Sequence, residues 1–319
     1  MIITLTANPS TDHTVALDAT LERGAVLRAV SSASQAGGKG VNITRAAVAA
    51  GVASLAVVPA PEDDPFVLEL QAAGLACRPV GPAGRPRSNI TITEPDGTTT
   101  KLNMPGPTAS PELLDGLAEA VVGHARAARW VVLAGSLPPG APAGWYAELV
   151  SRLRPLAPVA VDTSDAPLLA LVDRLADAAP SLLKPNAEEL ASVTGADQEE
   201  LAADPSTAAK AAQILVGAGV GACLVTLGGS GACLVTADGA WHATPPPTTV
   251  VSTVGAGDSS LFGYLLADTR GLPAPDRLRL AVAYGSAAAG LPGTTIPNPA
   301  QIRPDLVSIR DLGLTIGAR

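Results

Sequence analysis

Short apolar runs alternate with stretches of helix length through most of this chain, and that alternation restricts its architecture more than any other feature. Residues 130–134, 159–162, 181–184 and 222–227 are apolar runs, while residues 144–153, 167–175, 186–193 and the Ala-rich 207–216 read as helices between them. Strands separated by helices form βαβ units whose strands pair in parallel, in a sheet covered on both faces. Ligands of such sheets bind outside the carboxyl ends of the strands, so the loops directly after strands are where chemistry is sought. Hydrophobic residues are 47% of the 319, charged residues only 16% and aromatics 3%, so aliphatic side chains supply a core large enough for this plan.

Two segments break the rhythm. Residues 13–34 hold two short runs with no helix between them. Residues 87–103 read as a hairpin turning at Pro95-Asp96-Gly97, where glycine provides the positive φ a tight turn needs. Both are expected to form a small β lid, about residues 13–34 and 85–104, inserted in one α/β domain spanning 1–319. A local repeat, Gly221-Ala222-Cys223-Leu224-Val225-Thr226 and Gly231-Ala232-Cys233-Leu234-Val235-Thr236, is read as two strands joined by a turn.

The charge balance, 21 basic against 29 acidic residues for a net −8, comes with no basic run and argues against nucleic acid and anionic membranes as partners. No apolar stretch approaches the roughly 18 residues of a membrane span. The start of the chain reads as a strand, not a signal peptide. Cys77, Cys223 and Cys233 form no CxxC pair, which suits a reduced, cytoplasmic protein.

Five motifs could carry chemistry. Thr253-Val254-Gly255-Ala256-Gly257-Asp258 precedes an apolar helix read from residue 259. Its glycines would expose amides at a helix start, an anion site; Asp258 there either takes a proton or simply caps the helix. Ala36-Gly37-Gly38-Lys39-Gly40-Val41-Asn42 is not a Walker A loop, since Ala33 and Gly40 stand where that motif needs Gly and Ser/Thr. Lys39 could hold a phosphate and Asn42 a sugar hydroxyl, or the segment is a turn with a solvated lysine. In Lys184-Pro185-Asn186-Ala187-Glu188-Glu189, Asn186 and Glu189 share a helix face; they could orient the waters of Mg²⁺, form a capping box, or both. Thr226-Leu227-Gly228-Gly229-Ser230-Gly231 could cradle a nucleotide phosphate or ribose, and Gly135-Ser136-Leu137-Pro138-Pro139-Gly140 places Ser136 after a strand. Arg85, Arg87 and Lys101 lie on the lid, where cations are either solvated or close on a sugar phosphate.

These motifs, in this order after Asn8-Pro9-Ser10-Thr11-Asp12, resemble the ribokinase-like (PfkB) carbohydrate kinases, over roughly residues 1–301. Residues 4–10 and 23–26 are most similar to the bacterial branch acting on fructose 1-phosphate; a branch acting on tagatose 6-phosphate lies close. Ala7 departs from the proline common there. The resemblance implies a three-layer α/β/α body with a mostly parallel sheet and a small β-sheet lid. It implies a kinase using ATP and Mg²⁺, and a homodimer paired through its lids. Asp258 then matches the catalytic base, and Gly255, Ala256 and Gly257 the anion hole. Asp12, Gly37, Gly38, Lys39, Asn42 and Arg87 match sugar-phosphate positions, with Lys101 and Ser136 beside them. Lys184, Asn186, Thr226, Gly228, Gly229 and Gly231 fall to the nucleotide, and Asn186 with Glu189 to Mg²⁺ through water. The acceptor could instead be fructose 6-phosphate or tagatose 6-phosphate, or the fold could serve a non-catalytic sensor; an intact Gly-Ala-Gly-Asp argues against the sensor.

Overall fold

The computed structural model describes residues 1–314. The chain begins with β1 (Ile2–Leu5) and forms β2 (Ser10–Leu17) and β3 (Ala29–Gly37) of a second sheet. It returns through α1 (Lys39–Ala49), β4 (Ser54–Pro59), α2 (Pro65–Ala72) and β5 (Cys77–Val80), then adds β6 (Arg87–Thr93) and β7 (Thr99–Asn103) to the second sheet. The body continues with α3 (Pro111–Ala125), β8 (Trp130–Ala134), α4 (Trp145–Leu153), β9 (Val159–Asp162), α5 (Asp165–Val172), α6 (Leu175–Ala178) and β10 (Leu182–Leu183). It is completed by α7 (Ala187–Thr194), α8 (Gln198–Ala203), α9 (Pro205–Gly217), β11 (Ala222–Thr226), β12 (Ala232–Thr236), β13 (Gly239–Thr244), α10 (Ala256–Thr269), α11 (Ala274–Ala289) and β14 (Ser308–Asp311).

The main sheet has the order β14-β13-β12-β11-β10-β9-β8-β1-β4-β5. Every pair from β11 to β5 is parallel, and β12, β13 and β14 continue it antiparallel. One core packs α3 to α9 on one face of this sheet. A second packs α1, α10 and α11 on the other. The expected three layers are therefore present. The repeat at residues 221–236 is the β11–β12 pair, with Cys223 opposite Val235 and Val225 opposite Cys233.

Helix α10 is buried from Asp258 to Asp268 with no polar stripe. A helix apolar all round belongs inside a protein, and α10 lies between α1 and α11. Its far end is pinned: Asp268 accepts hydrogen bonds from Trp130 Nε1 at 2.8 Å and Arg129 at 3.1 Å, and pairs with Arg277 at 2.8 Å. The near end, with Asp258, thus has a fixed position.

The small sheet has the order β3-β2-β6-β7, with β2 and β6 parallel and its other pairs antiparallel. β2 begins earlier, and β3 ends later, than the sequence pattern places them. β2 starts at Ser10 and β3 runs to Gly37, so Asp12 and Gly37 are strand residues. Ser31-Ser32-Ala33-Ser34 hides the second run because small polar residues show no apolar alternation. The helix expected at 167–175 is two, α5 and α6, broken after Val172.

Candidate active site

The carboxyl ends of parallel strands β1, β8, β9 and β10 lie along one edge of the sheet, and the start of α10 meets them there. Asp162, the last residue of β9, is fully buried. Lys39 Nζ, from the first residue of α1, donates to Asp162 Oδ1 at 2.7 Å. Lys184 Nζ, just past β10, lies 3.3 Å from Oδ2. Burial pushes the Asp162 carboxyl up, but Lys184 and Lys39 outweigh it and hold it below the usual carboxylate value. Burial pulls Lys39 down, and the charges of Asp162 and Asp258 more than restore it, so Lys39 stays protonated.

Helix α10 starts three residues before the position expected from the sequence. Gly255, in the left-handed conformation, is its N-cap and lets the chain enter the helix at Ala256. Asp258 therefore lies inside the first turn, not at the cap, and no side-chain capping bond exists at this end. Asn42 Nδ2 donates to Asp258 Oδ2 at 2.8 Å. Burial first, then the like charge of Asp162, push the Asp258 carboxyl up to about 6. Lys39, the Asn42 bond and Lys184 pull in the opposite direction. A β-carbon added to Gly257 would stand 3.4 Å from Lys184 Nζ, so that ammonium lies against the helix start. First-turn amides, of which Ala256 makes only a long 3.4 Å bond to the Thr253 carbonyl, the positive end of a helix and a lysine make this a place for an anion. The adjacent carboxylate suits proton transfer near neutral pH.

At the small sheet, Asp12 Oδ1 accepts from Ser10 Oγ at 2.7 Å and from Asn89 Nδ2 at 3.0 Å. A side chain on Gly37 would overlap the Asp12 carboxylate, so the chain passes this close only as glycine. Arg87 donates to the Met104 carbonyl at 2.8 Å and to Ser136 Oγ at 3.4 Å. Asn8 Nδ2 also reaches Ser136 Oγ, at 3.5 Å, and the Pro105 carbonyl at 3.0 Å. Asp12, Arg87 and Ser136 are thus brought together by β2, β6 and the loop after β8. Lys101 stays apart: it is exposed on β7 opposite Thr91 and, among the described residues, bonds to no other candidate.

On the far side of Lys184, Asn186 and Glu189 form a complete capping box at the start of α7. The Asn186 amide donates to Glu189 Oε2 and the Glu189 amide to Asn186 Oδ1, both at 2.8 Å. Burial and the nearby Asp162 raise the Glu189 carboxyl, against the pull of Lys184 and Lys39. Thr226 bridges to Asn186, its amide donating to the Pro185 carbonyl at 3.0 Å. Gly228–Ser230 forms a single 3-10 turn. Gly231 comes next with φ +92, its α-carbon facing the Ala243 carbonyl where no side chain fits. His242 on β13 fixes this turn through a 2.7 Å contact between Nε2 and the Ser230 carbonyl.

Asp162 and His242 belong neither to the sequence motifs nor to the lid segments. A carboxylate ending an otherwise apolar strand is the available signal for Asp162; nothing local marks His242.

The sequence matches the pfkB family carbohydrate kinase profile over residues 5–301. The chain belongs to the pfkB family. It is 38% identical over 309 residues to the 1-phosphofructokinase of Rhodobacter capsulatus, with 94% of each chain covered. It is 36% identical over 303 residues to that of Haloferax volcanii, covering 93% of this chain and 94% of the relative. The solved phosphofructokinase-2 of Escherichia coli in complex with substrates and products superposes with a TM-score of 0.87 at 29% identity, covering 96% and 99% of the two chains. As a pfkB kinase the chain is an enzyme that phosphorylates a carbohydrate with ATP as donor. No helix among the described residues is long and apolar enough to cross a membrane.

Proposed function

We propose that this pfkB kinase transfers the terminal phosphoryl group of ATP to the 6-hydroxyl of fructose 1-phosphate, giving fructose 1,6-bisphosphate and ADP. The observation that carries the reading is the buried Asp258 carboxylate, poised near neutral pH in the first turn of α10 beside two lysines. Asp258 takes the proton of the 6-hydroxyl as its oxygen bonds to phosphorus, and the bond to the ADP oxygen breaks in line. The amides of Gly255, Ala256 and Gly257, with Lys39 and Lys184, meet charge on the phosphoryl oxygens. Asp12, Gly37, Gly38 and Asn42 hold the sugar hydroxyls, and Arg87 with Ser136 receives the 1-phosphate. Thr226, Gly228, Gly229 and Gly231 form the nucleotide loop, next to Lys184 and Asn186.

Mg²⁺ fits this site through water. Among the described residues no cluster of three His, Cys, Asp or Glu forms a cage. The capping box uses Glu189 Oε2 and Asn186 Oδ1, while Asp162 Oδ2 is buried without a hydrogen-bond partner. Mg²⁺ commonly keeps several waters and takes one or two carboxylates beside phosphates, which matches Asn186 and Glu189. The ion neutralises phosphate charge when bound.

The small sheet acts as the lid, and two lids pair to form a homodimer. Support comes from apolar side chains left in solvent on its outer strands, Val30 on β3 at 61% and Leu102 on β7 at 48% exposure. Sedimentation velocity is expected to show a dimer that Leu102→Glu weakens; a parent that stays monomeric at assay concentrations rejects it.

Steady-state assays with ATP and four acceptors test the substrate. Fructose 1-phosphate is expected to exceed free fructose by about 10²-fold or more in kcat/KM, since a missing phosphate strands the cations meant for it. In the same assay Arg87→Ala raises KM for fructose 1-phosphate by at least about 10-fold, and leaves KM for ATP unchanged. Equal efficiency on free fructose sinks the reading; a lead for fructose 6-phosphate or tagatose 6-phosphate moves the acceptor.

A further inference from the structure

Ala36 is fully buried, one residue before the Gly37–Gly38 junction that joins the small sheet to α1. β3 is the edge strand of that sheet. Ala36 stands opposite Thr11 in the β2–β3 ladder, yet both polar groups of its backbone are taken by side chains from the body. Glu69 Oε1, on α2, accepts from the Ala36 amide at 2.7 Å. Arg45, on α1, donates to the Ala36 carbonyl at 2.8 Å. An edge strand normally leaves such groups to water; here two ionised side chains hold them. Glu69 also offsets part of the burial that disfavours the charged Arg45 guanidinium.

The next three residues of the chain explain why the position of Ala36 matters. Gly37 runs against the Asp12 carboxylate, Gly38 turns with φ +115, and Lys39 reaches Asp162. A displacement at Ala36 would pass to groups on the sugar side and to Lys39 within three residues.

We propose that Glu69 and Arg45 are positioning residues, a two-point grip on the Ala36 backbone that sets the Gly37–Gly38 junction and so places the sugar-binding groups. Neither touches substrate; both act through the chain. Two bonds from opposite charges fix the amide and the carbonyl together, so the strand neither slides nor rotates about its edge. Small misplacements of reacting groups lose large factors in rate, which is the use of a grip at this point.

The inference rests on the sugar-kinase reading, and its test separates the two. Hydrogen–deuterium exchange over residues 33–40 needs no sugar. Glu69→Ala is expected to expose the Ala36 amide and speed its exchange by about 10-fold or more. The same variant is expected to raise KM for the sugar acceptor by about 10-fold with KM for ATP within about twofold. Glu69→Gln keeps an acceptor oxygen and should stay within about threefold of the parent on every measure; if Glu69→Ala does not fold, Arg45→Met, which removes the donor to the Ala36 carbonyl, is expected to raise the acceptor KM by about 10-fold with KM for ATP within about twofold. Unchanged exchange in Glu69→Ala, faster exchange with an unchanged acceptor KM, or a glutamine variant as impaired as the alanine variant each overturns the grip. The acceptor KM is taken with whichever sugar the parent uses, so rejection of fructose 1-phosphate bears on the substrate alone.

Discussion

Asp258→Asn is expected to fold, to bind both substrates, and to turn over about 10²–10⁴-fold more slowly than the parent. An amide matches the carboxylate in shape but cannot accept the hydroxyl proton. Stability should not fall with it. The carboxyl titrates near 3.8 in an unfolded chain and near 6 in the folded protein. The folded state therefore holds a proton more tightly between those values, and stability drops as pH rises through that window. At neutral pH the ionised Asp258 works against folding, so its neutral replacement should melt at the parent's temperature or above. A role in capping α10 would give the opposite pair of results, a lower melting temperature and near-normal turnover. The pH profile adds an independent reading. Parent kcat/KM should rise with pH and level off above about 6. Substrate phosphates titrate in the same range, but they do so for both proteins. The ratio of parent to variant isolates the carboxylate; a ratio that stays flat across pH 5–8 removes Asp258 from proton transfer.

A loss of similar size is expected for Asp162→Ala. Its carboxylate bonds Lys39 and neutralises Lys184, and removing one member of a buried charge cluster strands the others at a cost of about 3 kcal/mol or more. Without it the two ammonium groups lose the partner that fixes their place beside the transferred group, and kcat should fall by about 10²-fold or more. The melting temperature should fall too. The distinguishing sign is the acid limb. Asp162 is a like charge that raises Asp258. Its removal frees both lysines to face Asp258, so the residual activity should lose its acid limb toward lower pH. A variant that keeps parental kcat and an unshifted limb would refute this account of the lysine pair.

The layers are legible in the sequence because buried parallel strands and the helices between them have different periods, and five motifs fall in the loops that the topology exposes. Less is legible where residues act across long separations. Lys39 meets Asp162 across 123 positions, and Asn42 meets Asp258 across 216. No local pattern encodes either meeting, so Asp162 reads only as the end of an apolar strand. Local meaning survives better: Asn186 and Glu189, three apart, can be read as a capping box, and they form one. β14 escapes a sequence reading because Ser308–Asp311 is mostly solvent-exposed and has no apolar run to announce it. The small-sheet strands read short for the same reason, since strand β3 is almost wholly small and polar up to Ala36. Lys101, singled out for its place on the lid hairpin, is exposed on β7.

Asp12 and Arg87 come from the small sheet, whereas the Gly228–Ser230 turn comes from the opposite, antiparallel part of the main sheet. Between them stands Asp162, hydrogen-bonded to Lys39 and ion-paired with Lys184. On the proposed reading, an engineer who wants a different acceptor starts a library at residues 10–17 and 87–103 and leaves donor recognition alone. The same partition offers natural variation a route to new sugars in which each trial keeps a working ATP half, and Asp162 is the joint that such divergence has to leave intact.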